Sequence, residues 1–493
     1  MTRKWLSPMA LFCLLLVSYA YVFPRWADQN ENSRLDMIVA VVDDHTFQID
    51  KYVSNTVDYA KAGGHYYSDK APGAAFLGIP VYAALKPVFS SRLASGLVQR
   101  LAVNPAFVGT LRVEGSGLLE DKVRFAIALV AISFVVGALP CAALGVVLYL
   151  ALALFTPRLW PRWLVVVGFG LLTPAFAYAN SLYGHLLAAA LLMAAFYLVA
   201  SVARPASAVR LLAVGLLLGY AVVTEYPAAL LAGILFFYAA YRLWQQGQWR
   251  QAAWMLPTAL GMAALWMAYN TLVFGGPLRL GYSYSENWTS VHDIGFMSLT
   301  WPHMDALWGI TFGPFRGLFV LAPWLLLALP GFLLWLRSGE RRAEFWAVLA
   351  CVVAIFLFNS SSAMWWGGFA VGPRYLLPGL PFLALPAIFV FRDWGRSWFW
   401  RVVTALLMAW SFVATWGLTL AEQAFPPGAD LNPNPLMDYA LPNWLAGNIA
   451  RNAGTLLHLP GPLSLLPLLL VVAGFGLMGW RSARPAPARE EAA

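Results

Sequence analysis

Apolar runs of roughly 20 residues recur along the whole chain, and few folds can absorb them. A bilayer core about 30 Å thick takes about 20 apolar residues as a helix, because a chain in lipid must satisfy its backbone hydrogen bonds internally. The runs lie near 5–24, 125–154, 163–178, 185–203, 209–223, 227–243, 252–273, 318–336, 344–359, 375–391, 402–420 and 462–480. No soluble core of this length needs 60% apolar and 11% charged residues. The expected fold class is an all-α polytopic membrane protein with about 12 transmembrane helices. The run at 125–154 contains Pro140 and reads either as one kinked helix or as a helix plus an interfacial segment. The first run, behind Arg3 and Lys4, reads as a retained span; a cleavable signal peptide ending near Ala20 is the alternative.

Lys and Arg gather in the cytoplasmic loops of membrane proteins, so charge tests orientation. With the N-terminus inside, the inner segments hold 17 Lys or Arg against 5 Asp or Glu, and the outer ones 15 against 18. The expected location is therefore the inner (plasma) membrane, with a cytoplasmic N-terminus and reactive side chains on the periplasmic or extracellular face. The net charge of +9 then reports topology, and membrane lipids rather than nucleic acid are the expected surroundings. Cys13, Cys141 and Cys351 fall inside apolar runs and imply no disulfide framework.

One transmembrane domain is expected over 1–480, with a large first outer loop at 25–122 and a disordered cytoplasmic tail at 481–493. Apolar stretches near 74–89 and 92–103 predict helices lying along the membrane surface. All six histidines, His45, His65, His185, His292, His303 and His458, fall on or beside the outer face in this topology. A secondary transporter or lipid-linked sugar flippase is the alternative from another functional class. Transporters usually carry internal repeats and ionisable residues at mid-membrane, and this chain shows neither pattern.

The richest stretch for chemistry follows the first run: Asp28, Glu31, Arg34 and Asp36, then Asp58 and the string Gly64-His65-Tyr66-Tyr67-Ser68-Asp69-Lys70-Ala71-Pro72-Gly73. A carboxylate beside a Lys and a Pro-Gly turn offers a general base, a phosphate partner and a fixed backbone. The same residues also suit an ordinary solvated loop of charge pairs.

This order, an acidic residue and Arg after the first span followed by Tyr-Tyr-Ser-Asp-Lys-x-Pro-Gly, resembles the first outer loop of the GT-C membrane glycosyltransferases. Among these it looks most like the bacterial phospholipid-carrier-dependent relatives of protein O-mannosyltransferases and aminoarabinose transferases. Thr173-Pro174, Tyr183-Gly184-His185, Glu225-Tyr226-Pro227, Gly313-Pro314-Phe315-Arg316-Gly317, Trp365-Trp366-Gly367-Gly368 and Gly372-Pro373-Arg374-Tyr375 are similar to the same group. The resemblance implies a GT-C-like fold and transfer of a sugar from a polyprenyl-phosphate-linked donor to an acceptor glycan, lipid or protein.

It further implies that Lys70, Arg316 and Arg374 stabilise the donor phosphate and that Glu31 is the base, with Asp58, Asp69 and Asp36 behind it. Many relatives carry Asp at that early position, which leaves Asp28 and Asp36 as alternatives. Arg34, His65, Tyr67, His185, Glu225, Trp365 and Trp366 are the candidates for substrate contact, the tryptophans by stacking on sugar faces. Each has a plainer reading: Lys70 paired with Asp69, Arg316 and Arg374 paired with carboxylates, Glu225 as a helix cap, His185 as a structural imidazole. No cofactor is required by the sequence, which holds no His-Glu-x-x-His; a divalent cation is left open by the resemblance. The sequons at Asn287 and Asn359 read as chance.

Overall fold

Backbone groups with no water to bond must pair within their own segment, and the twelve apolar runs do so as helices, the 318–336 run in two pieces, Leu318–Leu321 and the helix from Pro323, broken at Ala322. The computed structural model describes residues 3–25, 28–103, 119–202, 204–287, 290, 293–296, 298–428 and 433–483. Among these, seven helices are long and apolar enough to cross a membrane, or eight if one bent pair is a single span, and five shorter apolar helices accompany them. The first run is α1 (Arg3–Tyr21), and α2 (Gln29–Asp43) follows it outside the bundle. A hairpin of β1 (Tyr59–Ala62) and β2 (His65–Ser68) leads to α3 (Gly73–Phe89) and α4 (Arg92–Ala102). The last two cover the apolar stretches near 74–89 and 92–103 and form the bent pair, their axes differing by 92°.

The bundle continues with α5 (Lys122–Leu152), α6 (Leu159–Leu171), α7 (His185–Ala200), α8 (Ala208–Thr224), α9 (Ala228–Gln245) and α10 (Trp249–Phe274). It closes with a short helix α11 (Met304–Thr311), then α12 (Pro323–Ser338), α13 (Arg342–Ser361), α14 (Arg374–Trp394), α15 (Trp398–Leu420) and α16 (Gly461–Gly479). Pro140 does not break α5, because the wider turn at Phe134–Ala138 just before it absorbs the missing N–H. The expected 163–178 run ends earlier, at Leu171: Thr173-Pro174 stops the helix and starts a single turn at Ala175–Tyr178. The last helix extends through Ala483, while the rest of the expected tail, His292 and residues 104–118 lie outside the described residues.

Two hydrophobic cores result. The larger runs through the bundle, with Leu11, Leu14 and Leu15 of α1 facing Cys141, Leu144 and Leu148 of α5. The smaller joins Leu35, Ile38 and Val39 of α2 to Ala74 and Ala75 of α3, Ile132 of α5 and Tyr269 of α10, so α2 and α3 form a roof seated on the bundle.

The two ends of the bundle differ in chemistry. At one end Arg341 donates to the Ala200 carbonyl, Arg242 and Arg341 meet Glu344, and Arg392 pairs with Glu340 and donates to the Phe155 carbonyl. The opposite ends of the same helices carry His185, Glu225 and Ser361, about 24 Å away along the 16 residues of α7. The basic connections grouped by sequence therefore share one pole of the molecule, and the acidic and aromatic segments share the other.

Close helix packing at Gly215 gives a first test. A Cβ there would lie 1.9 Å from the Met255 carbonyl oxygen, whereas one at Gly233 meets nothing within 4 Å. Gly215→Ala is expected to lower stability by about 1–3 kcal/mol, read as a drop in thermal midpoint in detergent, with Gly233→Ala unchanged.

Candidate active site

Between the roof and the second pole lies a cleft of about 520 Å³. Its upper wall is the head of α2 and the segment after the hairpin, and its lower wall is Tyr183, His185, Glu225, Arg374 and Tyr375 at the helix ends. Loops carrying Leu299, Ser362, Phe369 and Phe425 close the sides.

Asp28 reaches the cleft because it caps α2. Its Oδ1 accepts from the Asn30 and Glu31 amides at 3.0 Å each, satisfying orphan donors of the first turn. The Tyr183 hydroxyl donates to both Asp28 oxygens at 2.9 and 3.0 Å, and Arg374 Nη1 in turn donates to the Tyr183 hydroxyl at 3.2 Å. Burial pushes the Asp28 carboxyl above the usual range, while the amide bonds, Arg374 and Tyr183 pull against it. Among the described residues Arg374 makes no ion pair, and its guanidinium lies 5.4 Å from the Tyr183 ring centre.

Lys70 is placed by the hairpin. Gly63 and Gly64 take positive φ of 59° and 87° at the turn, β1 pairs antiparallel with β2, and Ser68 Oγ meets Ser33 Oγ of α2 at 2.8 Å. The chain then turns Asp69 and Lys70 into the cleft, where Lys70 Nζ lies 2.9 Å from Asp58 and 3.1 Å from Asp69. Directly after them, Gly73 opens α3 against the end of α8, where a Cβ would sit 2.7 Å from the Thr224 backbone. That approach fixes Lys70 relative to Glu225. Glu225 Oε2 is 3.2 Å from His185 Nδ1, and Oε1 is 3.9 Å from Arg34 Nη2. Burial raises the Glu225 carboxyl, but His185, Arg34 and Arg374 outweigh it and hold the group below its usual value.

Of the residues expected from sequence, Arg34, Asp58, Asp69, Lys70, His185, Glu225 and Arg374 line this one cleft. Glu31 does not. It is 0% exposed in the wall behind Asp28, with Oε2 accepting the Leu182 amide at 2.8 Å. Burial and then the neighbouring Asp28 push its carboxyl up to about 8. Asp36, one turn further, is buried against Asn55. Arg316, 1% exposed, spends its guanidinium on the carbonyls of Trp366, Gly368, Pro426 and Pro427 at 2.9 to 3.4 Å, and so pins two cleft-side loops together. His65 bonds Asp50 at 2.7 Å on the exposed hairpin, and Tyr67 packs on Phe274. Trp365 packs against Gly309 and meets Trp366 edge-on at 5.9 Å, so neither offers an open face to the cleft.

Sequence reasoning missed Arg25, Tyr282, Gln423 and Phe425, all in the cleft wall, and gave Tyr183 and Tyr375 no role although both stand in the quoted motifs. The signal for Arg25 was its place at the far end of the first run, opposite Arg3 and Lys4. Among the described residues no group of three or more His, Cys, Asp or Glu could hold a divalent cation, and Asp58, Asp69 and Glu225 already face cations.

No protein-family model and no curated protein matches the sequence. Among solved structures the chain is similar to ArnT from Cupriavidus metallidurans bound to undecaprenyl phosphate, with 17% identity and a TM-score of 0.43, covering 98% of this chain and 77% of that one.

Glu31 gives a test of the wall. Its folded carboxyl holds a proton up to about pH 8 against an ordinary 4.5, so the stability this contributes is complete below pH 4.5 and lost as pH rises through 8. Glu31→Gln cannot ionise and is expected to flatten the fall in thermal midpoint across that window; an unchanged slope removes Glu31 as its source. Arg316→Ala is expected to speed amide exchange around 366–368 and 426–427 without altering exchange in α7.

Proposed function

We propose that this protein is an integral membrane glycosyltransferase that moves a sugar from a polyprenyl-phosphate-linked donor to an acceptor on the non-cytoplasmic face. The observation that carries the reading is the hydrogen-bonded series Arg374–Tyr183–Asp28 in a buried cleft, a cation that makes no ion pair among the described residues held beside a carboxylate. Transfer breaks the bond between the sugar's anomeric carbon and the phosphate oxygen, leaving negative charge on the lipid phosphate. Arg374 faces that charge with a planar fork of donors in a site poor in water, where such contacts are strongest.

The acceptor oxygen or nitrogen attacks the same carbon and gives up its proton. Asp28 is the base this reading favours, since burial raises its proton affinity and it lines the cleft beside Tyr183. Lys70, shared between Asp58 and Asp69, supplies a second and more compensated cation. Tyr282 and Tyr375 in the wall give flat surfaces suited to a sugar ring. The charge bias along the chain supports a plasma (inner) membrane with this pole outside, where the acceptor meets the donor at the bilayer.

The test is transfer of radiolabelled sugar from extracted polyprenyl-linked donors in membranes with matched expression. Asp28→Asn and Arg374→Ala are each expected to cut transfer by about a hundredfold or more, and Lys70→Ala by less. Glu31→Gln is expected to stay within a few-fold of wild type. Full transfer by both Asp28→Asn and Arg374→Ala would move the chemistry to another site, and donor left unconsumed across a broad panel would exclude the reaction.

A further inference from the structure

A buried guanidinium at the outer end of the first membrane helix needs an explanation that fold stability does not supply. Arg25 is 4% exposed, and among the described residues it makes no ion pair. Its backbone is fixed on three sides. The Phe23 amide donates to the Arg451 carbonyl at 2.9 Å, Gln423 donates to the Pro24 carbonyl at 2.7 Å, and the Asp28 amide donates to the Arg25 carbonyl at 2.9 Å. The last bond ties Arg25 and the α2 cap into one turn, so both side chains enter the cleft together.

The side chain is equally constrained. Arg25 Nη2 donates to the Thr419 carbonyl, and the guanidinium carbon sits 5.0 Å from the Phe425 ring centre. Behind it is a second cavity of about 10 Å³, also lined by Asn180 and Thr419, near the least space that takes one water. Those neighbours are polar and uncharged. On the cleft side Asp28 and Glu31 act on Arg25 only at a distance: among the described residues neither forms an ion pair with it, and Arg25 Nε is buried with no hydrogen-bond partner, so its charge is only partly compensated. A charge at such depth is costly unless an anion compensates it.

The positions of Arg25 and Arg374 give that anion a place. Phe425, under Arg25, lies 6.2 Å from the Tyr183 ring, and Tyr183 lies under Arg374. The two guanidiniums thus stand on neighbouring rings of one aromatic pair, with Asp28 bonded to the second ring's hydroxyl. We propose that Arg25 is an oxyanion-binding residue of the cleft, and that with Arg374 it grips a phosphate group beside Asp28. The proposal rests on the glycosyltransferase reading only for the source of that phosphate, which is the donor lipid or a phosphate on the acceptor.

The experiment is equilibrium binding to the purified full-length protein in nanodiscs, using polyprenyl phosphate, the matching polyprenol and glycerol phosphate as probes. Arg25→Met is expected to weaken polyprenyl phosphate binding by about tenfold or more and to leave polyprenol binding unchanged. If only glycerol phosphate binding falls, Arg25 still holds an oxyanion and the source is the acceptor. Asp28→Asn is expected to keep polyprenyl phosphate affinity while transfer is lost, which separates failure of the clamp from failure of the transferase reading. Arg25→Met with a wild-type thermal midpoint and wild-type affinity for both phosphates overturns the proposal. Should that variant not fold, Arg25→Lys decides: it keeps the charge and loses the fork, so unchanged affinity for both probes overturns the clamp and a several-fold loss supports it.

Discussion

The cap at Asp28 is the interaction on which the rest of the site depends. One carboxylate satisfies the first amides of α2, receives the Tyr183 hydroxyl from the bundle and shares in the field of Arg374. A helix start is a place where donors are left over, and a short acidic side chain there is held by backbone geometry. The roof and the bundle are therefore joined at the point where a reactive group is wanted. The close approach of Gly73 to Thr224 joins them again on the far side of the cleft, bringing Lys70 and Glu225 onto a common frame.

Charge balance explains how such a site survives next to lipid. Arg25, Arg34, Lys70 and Arg374 line the cleft together with Asp28, Asp58, Asp69 and Glu225, four cations and four carboxylates. The pairing is uneven. Lys70 has two carboxylates and Glu225 is held by His185 and Arg34, whereas Arg25 and Arg374 have aromatic rings and neutral acceptors. Removing charge from the wall helps, because a protonated Glu31 leaves the field of Asp28 uncrowded. The cleft thus holds as many carboxylates as Lys and Arg side chains, and Arg25 and Arg374 stand in it without a direct ion pair among the described residues.

Several residues illustrate how far sequence reading reaches into such a site. Lys70, Asp69, Arg34 and Arg374 were legible because each sits in a short string whose spacing is fixed by a turn or a helix start. Glu31 lies outside the cleft for a local reason: Asp28 is the cap, with extended backbone that leaves its side chain at the cleft, whereas Glu31 sits inside the first turn with its carboxylate taken by the Leu182 amide. Arg316 and the Trp365–Trp366 pair carry the residue types that bind phosphate and sugar, yet backbone carbonyls and core packing consume them. Residue type states what a side chain can bind; the neighbours decide whether it is still free to do so.

By itself the sequence determined the twelve apolar helices, the separation of basic from acidic and aromatic connections, and the two further helices after the hairpin. These follow from periodicity, length and charge, which act on local segments and need no partner. Only the tertiary structure decided which polar residues meet, since Asp28, Lys70, His185, Glu225 and Arg374 come from five separate segments of the chain. It also decided which charges remain without an ion pair, a property of distances between segments that no single segment encodes.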